Sequence, residues 1–147
     1  MNSVICLLER AAAHWPERTA VTDEHRSLTY RELRENARRA ASGLLRTGDS
    51  TAPVMVYLPK SAEMLIGFNA AMYAGRPYVP TDAAAPAQRL QKILSNSHPS
   101  AVVTNRQLGE GLAGIDLGGV PVLYIDELVQ CEEDAAAVDA AVARVTD

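Results

Sequence analysis

The chain has 147 residues, of which 48% are hydrophobic and 22% charged, a balance typical of one soluble globular domain and unlike that of a disordered chain. Its net charge of −4, with no basic run and no aromatic residues between basic ones, argues against a nucleic-acid partner. No apolar stretch approaches the roughly 18 residues needed to span a membrane, so we expect a cytoplasmic protein without a membrane partner. Cys6 and Cys131 form no CxxC pair and are predicted to be buried or idle thiols.

The amino-terminal segment is predicted to be an amphipathic helix and not a targeting sequence. Val4, Leu7, Leu8 and Ala11 recur at helical spacing, and Pro16 closes the helix. The apolar run "VICLL" is short, has no basic residue before it and is followed at once by two charged residues. A secretory signal has the opposite layout.

A short hairpin and a long helix follow. Residues 19–23 ("TAVTD") and the residues around Leu28 predict two strands joined by the polar turn "DEHR". The helix is expected from Tyr30 to about Leu45, and Gly48 lies just past its end, where a residue with positive φ is favoured. One face of this helix is apolar and consists of Leu33, Ala37, Ala40, Ala41, Leu44 and Leu45.

The start of this helix, in the stretch "SLTYREL", carries several polar groups that invite a catalytic interpretation. With Thr29 as N-cap, Glu32 is the third helical residue, which is the spacing of a capping box. Leu28 and Leu33 have the spacing of a hydrophobic staple around the cap. A carboxylate bound to its own backbone is a poor base, so we interpret the stretch as structural.

The middle of the chain alternates strands and helices. Residues 53–58 ("PVMVYL") predict a strand buried on both faces, as in a parallel sheet. Ser61 is expected to cap the next helix, and Gly75 to end it. Residues 77–80 ("PYVP") predict a short buried strand bracketed by prolines. The apolar stripe of the intervening helix is predicted to be Met64, Leu65, Phe68, Ala71 and Met72.

The remaining elements continue the alternation. Pro86 fits the first turn of a helix whose Leu90, Ile93 and Leu94 face inward. Residues 100–104 and 120–125 predict two more strands, and the Gly-rich segment 108–119 between them predicts a loop with a weakly helical half. The Ala-rich stretch that begins at residues 127–129 is compatible with a helix or a linker. The fold class is therefore α/β, with a mainly parallel sheet and flanking helices.

Motifs for phosphate binding are weak in this sequence. There is no GxxxxGK[ST], and "GEGLAG", residues 109–114, matches the dinucleotide pattern only in its letters. The segment lies far too late for a first βα unit and no convincing strand precedes it, so a flexible loop is the preferred interpretation.

Residues for acid–base, nucleophilic or metal chemistry are equally sparse. His14, His25 and His98 are scattered, and no GxSxG elbow accompanies them. Asp82 follows a predicted strand, where α/β proteins often place functional groups, but capping the turn toward Pro86 is the favoured role. We therefore assign no catalytic, cofactor-binding or metal-binding residue to this chain.

Two motifs in series nevertheless identify a family. "LTYREL" agrees with L-[TS]-Y-x-E-L, and "MYAGRPYVPTD" agrees with L-K-A-G-x-A-Y-V-P-[LIV]-D at six positions, with Tyr73, Pro77 and Thr81 as departures. In this order and spacing, residues 7–128 resemble the N-terminal part of adenylate-forming (AMP-binding) enzymes. The similarity is greatest to amino-acid adenylation domains of nonribosomal peptide synthetases and to D-alanine–carrier-protein ligases.

The resemblance implies a fold and an activity. Residues 1–147 are expected to form an incomplete N-terminal subdomain of the adenylate-forming fold that ends before the phosphate-binding loop. The complete enzyme would use ATP and magnesium to form an acyl-adenylate and would then load a carrier-protein thiol. This chain, as a split or truncated portion, would bind no cofactor, would be inactive alone and would need the complementary portion of the adenylation domain.

Two other hypotheses stay open from the sequence. One is a non-catalytic interaction module that retains the fold and binds a partner protein. The other is an unrelated flavodoxin-like or nucleotide-binding domain that mimics the motifs. The amino or aryl acid that is activated, the carrier protein and the oligomeric state do not follow from these residues.

Overall fold

A computed structural model describes residues 4–48 and 51–146. Its helices are α1 (Val4–His14), α2 (Tyr30–Arg46), α3 (Ala62–Tyr73), α4 (Ala87–Ser97), α5 (Arg106–Glu110), α6 (Ile125–Leu128) and α7 (Ala135–Thr146). Its strands are β1 (Thr19–Thr22), β2 (Ser27–Thr29), β3 (Val54–Tyr57), β4 (Tyr78–Thr81), β5 (Ala101–Thr104) and β6 (Val122–Tyr124). No helix in the described ranges is both long and apolar enough to cross a membrane.

The strands form one parallel sheet and one separate hairpin. The sheet has the order β4-β3-β5-β6, and each neighbouring pair in it is parallel. β1 and β2 pair antiparallel, as the hairpin prediction required. Every residue of β3 and β5 is buried, which for β3 confirms the prediction of a strand covered on both faces.

The two faces of the sheet pack against different partners. Because side chains alternate along a strand, Val54 and Val56 of β3 point to one face and Met55 and Tyr57 to the other. The first face carries the larger apolar cluster, which continues into α1, α2, α3, α6 and α7. The second face carries a smaller cluster, closed by residues of α4 and of the segment after α5.

The start of α2 has the predicted capping box. The Thr29 N–H donates to Glu32 Oε1 at 2.9 Å, and the Glu32 N–H donates to Thr29 Oγ1 at 3.1 Å. The hydrogen bond from the Thr29 backbone lowers the pKa of the Glu32 carboxyl below its usual range. Leu28 and Leu33 are both buried in the first-face cluster, and Gly48 after the helix has φ +144°.

The predicted stripe of α3 packs against the first-face cluster, with Ala71 buried and its other four residues partly buried. Since α3 lies between the sheet and α2, it buries Ile66, Ala70 and Tyr73 more deeply. The expectation of a buried "PYVP" strand, in contrast, is wrong. β4 is not an interior strand: it forms an edge of the sheet, and Tyr78 is 37% exposed. An edge strand accommodates proline where the backbone nitrogen points outward, because no ladder hydrogen bond is lost there.

The Ala-rich C-terminal stretch is a helix and not a linker. α7 packs on α2 and α3, with Val138 and Ala141 buried. The turn before it is fixed to α2, because the Asp134 N–H donates to Ser42 Oγ at 2.9 Å. These contacts make α7 part of the layer that covers the first face of the sheet.

Charged groups reinforce this layer around Arg38 of α2, which is only 4% exposed. Its guanidinium donates to Asp139 Oδ1 at 2.9 Å and to Glu133 Oε2 at 3.2 Å, and it lies 5.4 Å from the centre of the Tyr73 ring. Burial alone would lower the pKa of Arg38, but these two hydrogen bonds raise it above its ordinary value. Glu9 of α1 completes the cluster, since its Oε1 accepts from the Tyr73 hydroxyl at 2.5 Å and lies 3.8 Å from Arg38 Nη1.

Candidate functional site

An open groove of about 980 Å³ lies at the carboxyl ends of β3 and β5. The β1–β2 turn forms one wall, and the segments that follow the two strands form the other. Ligands of open α/β sheets bind outside the carboxyl ends of the strands, so this groove is the candidate site. Its polar lining residues include Asp23, His25, Lys60, Ser61, Glu63 and Asn105.

Asp23 connects the hairpin turn to the amino terminus of α3. Its Oδ1 accepts from the backbone N–H groups of His25 at 2.7 Å and Arg26 at 2.9 Å, and its Oδ2 accepts from Ala62 N–H at 2.7 Å. These bonds, that from Ala62 foremost, lower the pKa of Asp23 to about 2. A carboxylate used in this way joins two segments and is a poor general base. The sequence indicated only the turn, because Ala62 is 39 positions away.

Two other polar side chains in the groove are helix caps. Ser61 Oγ accepts from the Met64 N–H at 3.2 Å and donates to the Pro59 carbonyl at 2.9 Å. Asn105 Oδ1 accepts from the Leu108 N–H at 2.8 Å at the start of α5. The Ser61 cap is as predicted, and both side chains satisfy backbone donors that the helix starts leave free.

Asp82 follows β4 at the same end of the sheet. Its Oδ1 accepts from the Ala84 N–H at 2.9 Å, which is the turn-capping role that the sequence favoured. The side chain is exposed and is not among the residues that line the groove. The structure therefore does not bring Asp82 together with Asp23 or Ser61.

The histidines are dispersed over the structure. His14 ends α1 with its Nδ1 2.9 Å from the Arg10 carbonyl, His25 lies in the hairpin turn, and His98 ends α4 with φ +46°. Within residues 4–48 and 51–146, no three His, Cys, Asp or Glu side chains form a group that could hold a metal ion. No catalytic step is assigned to a metal on these residues.

The Gly-rich segment "GEGLAG" begins in a helix and not in a loop, because α5 extends to Glu110. A Cβ on Gly109 would lie 2.8 Å from Cε1 of Tyr124. Gly109 therefore lies in close contact with the Tyr124 ring of β6, whereas a Cβ on Gly114 would have no atom within 4 Å.

The joint between α3 and β4 also depends on a glycine. Gly75 has φ +72°, and a Cβ there would lie 2.9 Å from the Ala141 carbonyl oxygen of α7. Arg76, buried beside it, donates to the Gly48 carbonyl at 2.7 Å. The segment "AGRPYVPTD" is thus a packed connection between helix, sheet edge and C-terminal helix.

Comparison with known proteins places this geometry in a family. The model of the family described as AMP-binding enzyme matches residues 8–145. Tyrocidine synthase 1 of Brevibacillus parabrevis is 33% identical over 135 residues, which are 91% of this chain and 12% of that protein. The dimodular nonribosomal peptide synthase of Bacillus subtilis is 32% identical over 120 residues, 81% of this chain and 5% of that protein.

Solved structures agree with the sequence relatives. The structure of VinN with 3-methylaspartate superposes with a TM-score of 0.78 at 20% identity, covering 98% of this chain and 38% of VinN, and so supports the fold. The nonribosomal peptide synthetase FmoA3 superposes with a TM-score of 0.75 at 27% identity, covering 85% of this chain and 13% of FmoA3.

The chain spans a small part of the length of these proteins, so it corresponds to part of an adenylate-forming domain. The order of its strands, the two motifs and the family match lead to one assignment. The chain belongs to the AMP-binding enzyme family, and its relatives are nonribosomal peptide synthetases.

Proposed function

We propose that the chain is the scaffold portion of an amino-acid adenylating ligase. In the complete enzyme a carboxylate oxygen attacks the α-phosphate of ATP, which releases pyrophosphate and leaves an acyl-adenylate. A carrier-protein thiol then attacks the acyl carbon and releases AMP. The observation that carries this proposal is the pair of family motifs at family spacing, within a match that extends over residues 8–145.

The role of scaffold follows from how the motif residues are used. Thr29 and Glu32 cap α2, and Gly75 permits the close approach of α7. Asp23, Ser61 and Asn105 hold backbone N–H groups at the carboxyl edge of the sheet. We therefore assign no catalytic, ATP-binding or metal-binding residue to this chain, and we place those groups in the complementary portion of the domain. ATP and magnesium would bind there.

Complementation tests the proposal. The complementary portion is the part of an adenylation domain that follows the matched stretch in tyrocidine synthase 1, produced as a separate polypeptide. We expect amino-acid-dependent exchange between ATP and pyrophosphate only when this portion and the chain are mixed. Exchange by the complementary portion alone, unchanged by the chain, would contradict the proposal. Binding without exchange would instead favour a non-catalytic interaction module.

A further inference from the structure

The helix α1 has two apolar sides, and only one of them is buried. Ile5 and Leu8 point into the first-face cluster, where α1 packs on α2 and α3. Val4 and Leu7 are 59% and 63% exposed, and Trp15, which directly follows the helix, is 49% exposed. These are three of the five large hydrophobic side chains that are exposed among the described residues. Such a concentration of exposed apolar side chains indicates an interaction surface.

The spacing of these side chains is that of a contact between two helices. Val4, Leu7, Ala11 and Trp15 follow one another at intervals of three, four and four residues, which places them on one side of a helix. The Trp15 N–H donates to the Ala11 carbonyl at 2.7 Å, so Trp15 continues the helical turn. We call these four side chains the α1 stripe. At about 1.5 Å per residue it is about 17 Å long, and side chains with this spacing pack into the groove of a second helix.

Two cationic side chains accompany the α1 stripe. Arg10 is exposed and comes three residues after Leu7, so it lies beside the stripe. The Arg18 guanidinium lies 5.3 Å from the centre of the Trp15 ring. Neither arginine forms an ion pair within residues 4–48 and 51–146. The stripe therefore combines apolar side chains with two positive charges that have no carboxylate partner in the described part of the chain.

The carboxylates closest to these arginines in the sequence are engaged by α2. Glu9 Oε1 accepts from Arg34 Nε at 3.0 Å, and Glu17 forms an ion pair with Arg31. Interfaces place opposite charges against each other, so a partner that covers the α1 stripe should supply the missing carboxylates.

We propose that the α1 stripe binds an acidic amphipathic α-helix of a partner protein. That helix inserts an apolar side chain every three or four residues between those of the stripe and directs carboxylates toward Arg10 and Arg18. The proposal goes beyond the proposed function, because no residue of the stripe lines the candidate groove. A contact of about three helical turns is small, so the complex should be transient and not obligate.

Two synthetic peptides test the proposal. Both have three heptads with leucine at a and d and alanine or glutamine at b, c and f, and they carry either glutamate or lysine at e and g. Trp15 is the only tryptophan of the chain, so its fluorescence reports on the stripe. We expect the glutamate peptide to shift the Trp15 emission to shorter wavelength and to bind at least about tenfold more tightly than the lysine peptide. Equal affinities, or no binding of the glutamate peptide, would overturn the proposal.

Matched variants locate the binding surface. Leu7→Gln changes an exposed side chain of the stripe, and Ala13→Gln is its control on another side of the same helix. We expect Leu7→Gln to weaken binding of the glutamate peptide at least about tenfold and Ala13→Gln to leave it within about twofold. Circular dichroism establishes that each variant is folded, and the charge substitutions below decide if Leu7→Gln does not fold.

Charge substitutions test the role of the arginine. Arg10→Glu should reverse the preference, so that the lysine peptide binds more tightly than the glutamate peptide. Arg89→Glu makes the same change of charge on the exposed side of α4 and should keep the original preference. Equal effects of Arg10→Glu and Arg89→Glu would show that only net charge attracts the peptide, which would overturn the proposal.

The same fluorescence signal identifies the other occupants that would refute the proposal. Displacement of the glutamate peptide by the complementary portion from tyrocidine synthase 1 would make the stripe an internal contact of the complete domain. A Trp15 shift that rises with the concentration of the chain alone would show a second copy. A shift with phosphatidylglycerol vesicles but not with the glutamate peptide would assign the stripe to a lipid surface. ATP–pyrophosphate exchange in the complemented enzyme is independent of all three outcomes and tests the proposed function separately.

Discussion

The two faces of the parallel sheet are stabilised in different ways. On the first face, α2, α3 and α7 enclose an apolar cluster, and Arg38 links carboxylates of α1, α7 and the turn before α7. On the second face, one long helix, α4, and the segment after α5 cover a smaller cluster. The first face therefore resembles the core of a complete domain, whereas the second depends on few elements. This asymmetry predicts where substitutions have their largest effects.

The largest difference is expected between equivalent cavity-creating substitutions on the two faces. Ile66→Ala on the first face is expected to lower the free energy of unfolding by about 4 kcal/mol, because rigid neighbours surround a fully buried side chain. Leu94→Ala on the second face is expected to lower it by about 2 kcal/mol, because that side chain is 6% exposed and its surroundings can relax. Urea denaturation of the chain measures both. Equal losses would contradict the comparison.

The buried guanidinium is expected to give the next largest effect. Arg38→Met keeps the aliphatic stem and removes the charge, leaving Glu133 and Asp139 without their shared partner. Breaking a buried ion pair costs roughly 3–5 kcal/mol, and partial exposure of the carboxylates reduces the expected loss to about 2 kcal/mol.

Thermal unfolding and the exchange of α7 amides measure the consequence for Arg38→Met. Arg39→Met is the matched control, because Arg39 is exposed on the same helix and should change stability by less than about 0.5 kcal/mol. A similar loss of stability in both variants would show that the overall positive charge of α2, and not the cluster around Arg38, stabilises α7.

The contrast between Arg38 and Thr29 shows what the sequence can predict. The α2 cap was predicted in full because Thr29 and Glu32 are three residues apart and bind each other's backbone. Arg38 pairs with residues 95 and 101 positions away, so no local pattern distinguished it from exposed neighbours such as Arg39. The alternation of strands and helices likewise predicted the parallel sheet, because each strand has its own apolar run.

Features that depend on the order of strands in the sheet could not be predicted from the sequence. The "PYVP" strand was expected to be buried, yet β4 lies at an edge, a position that only the pairing of β3 with both neighbours determines. For the candidate site, the caps at Ser61 and Asp82 were local and predictable. The link from Asp23 to Ala62 was not, because it joins a turn to a helix start far along the chain.

A smaller effect is expected at the α2 cap. Thr29→Ala removes the hydroxyl that accepts the Glu32 N–H and should lower the free energy of unfolding by about 1 kcal/mol. In the complemented enzyme, the rate of ATP–pyrophosphate exchange at a temperature where both proteins are folded should be unchanged. Thr29→Ser retains the acceptor and is the matched control. A loss of exchange with unaltered stability would assign the motif a catalytic role.

The smallest effect is expected at Asp23 and depends on pH. The pKa of its carboxyl is lowered from 3.8 to about 2 in the folded chain. The ionised carboxylate therefore stabilises the folded state relative to the unfolded state. The stabilisation is present above about pH 4 and is lost as the pH falls toward about 2. Asp23→Asn removes this titration, so the stability of the variant should decline less steeply than that of the unmodified chain between about pH 4 and pH 2.

Because Asp23 joins the hairpin to α3 beside the groove, the same variant should increase amide exchange in β1 and β2 at neutral pH and leave α7 unchanged. Parallel pH profiles for both proteins would mean that Asp23 does not hold the hairpin against the sheet.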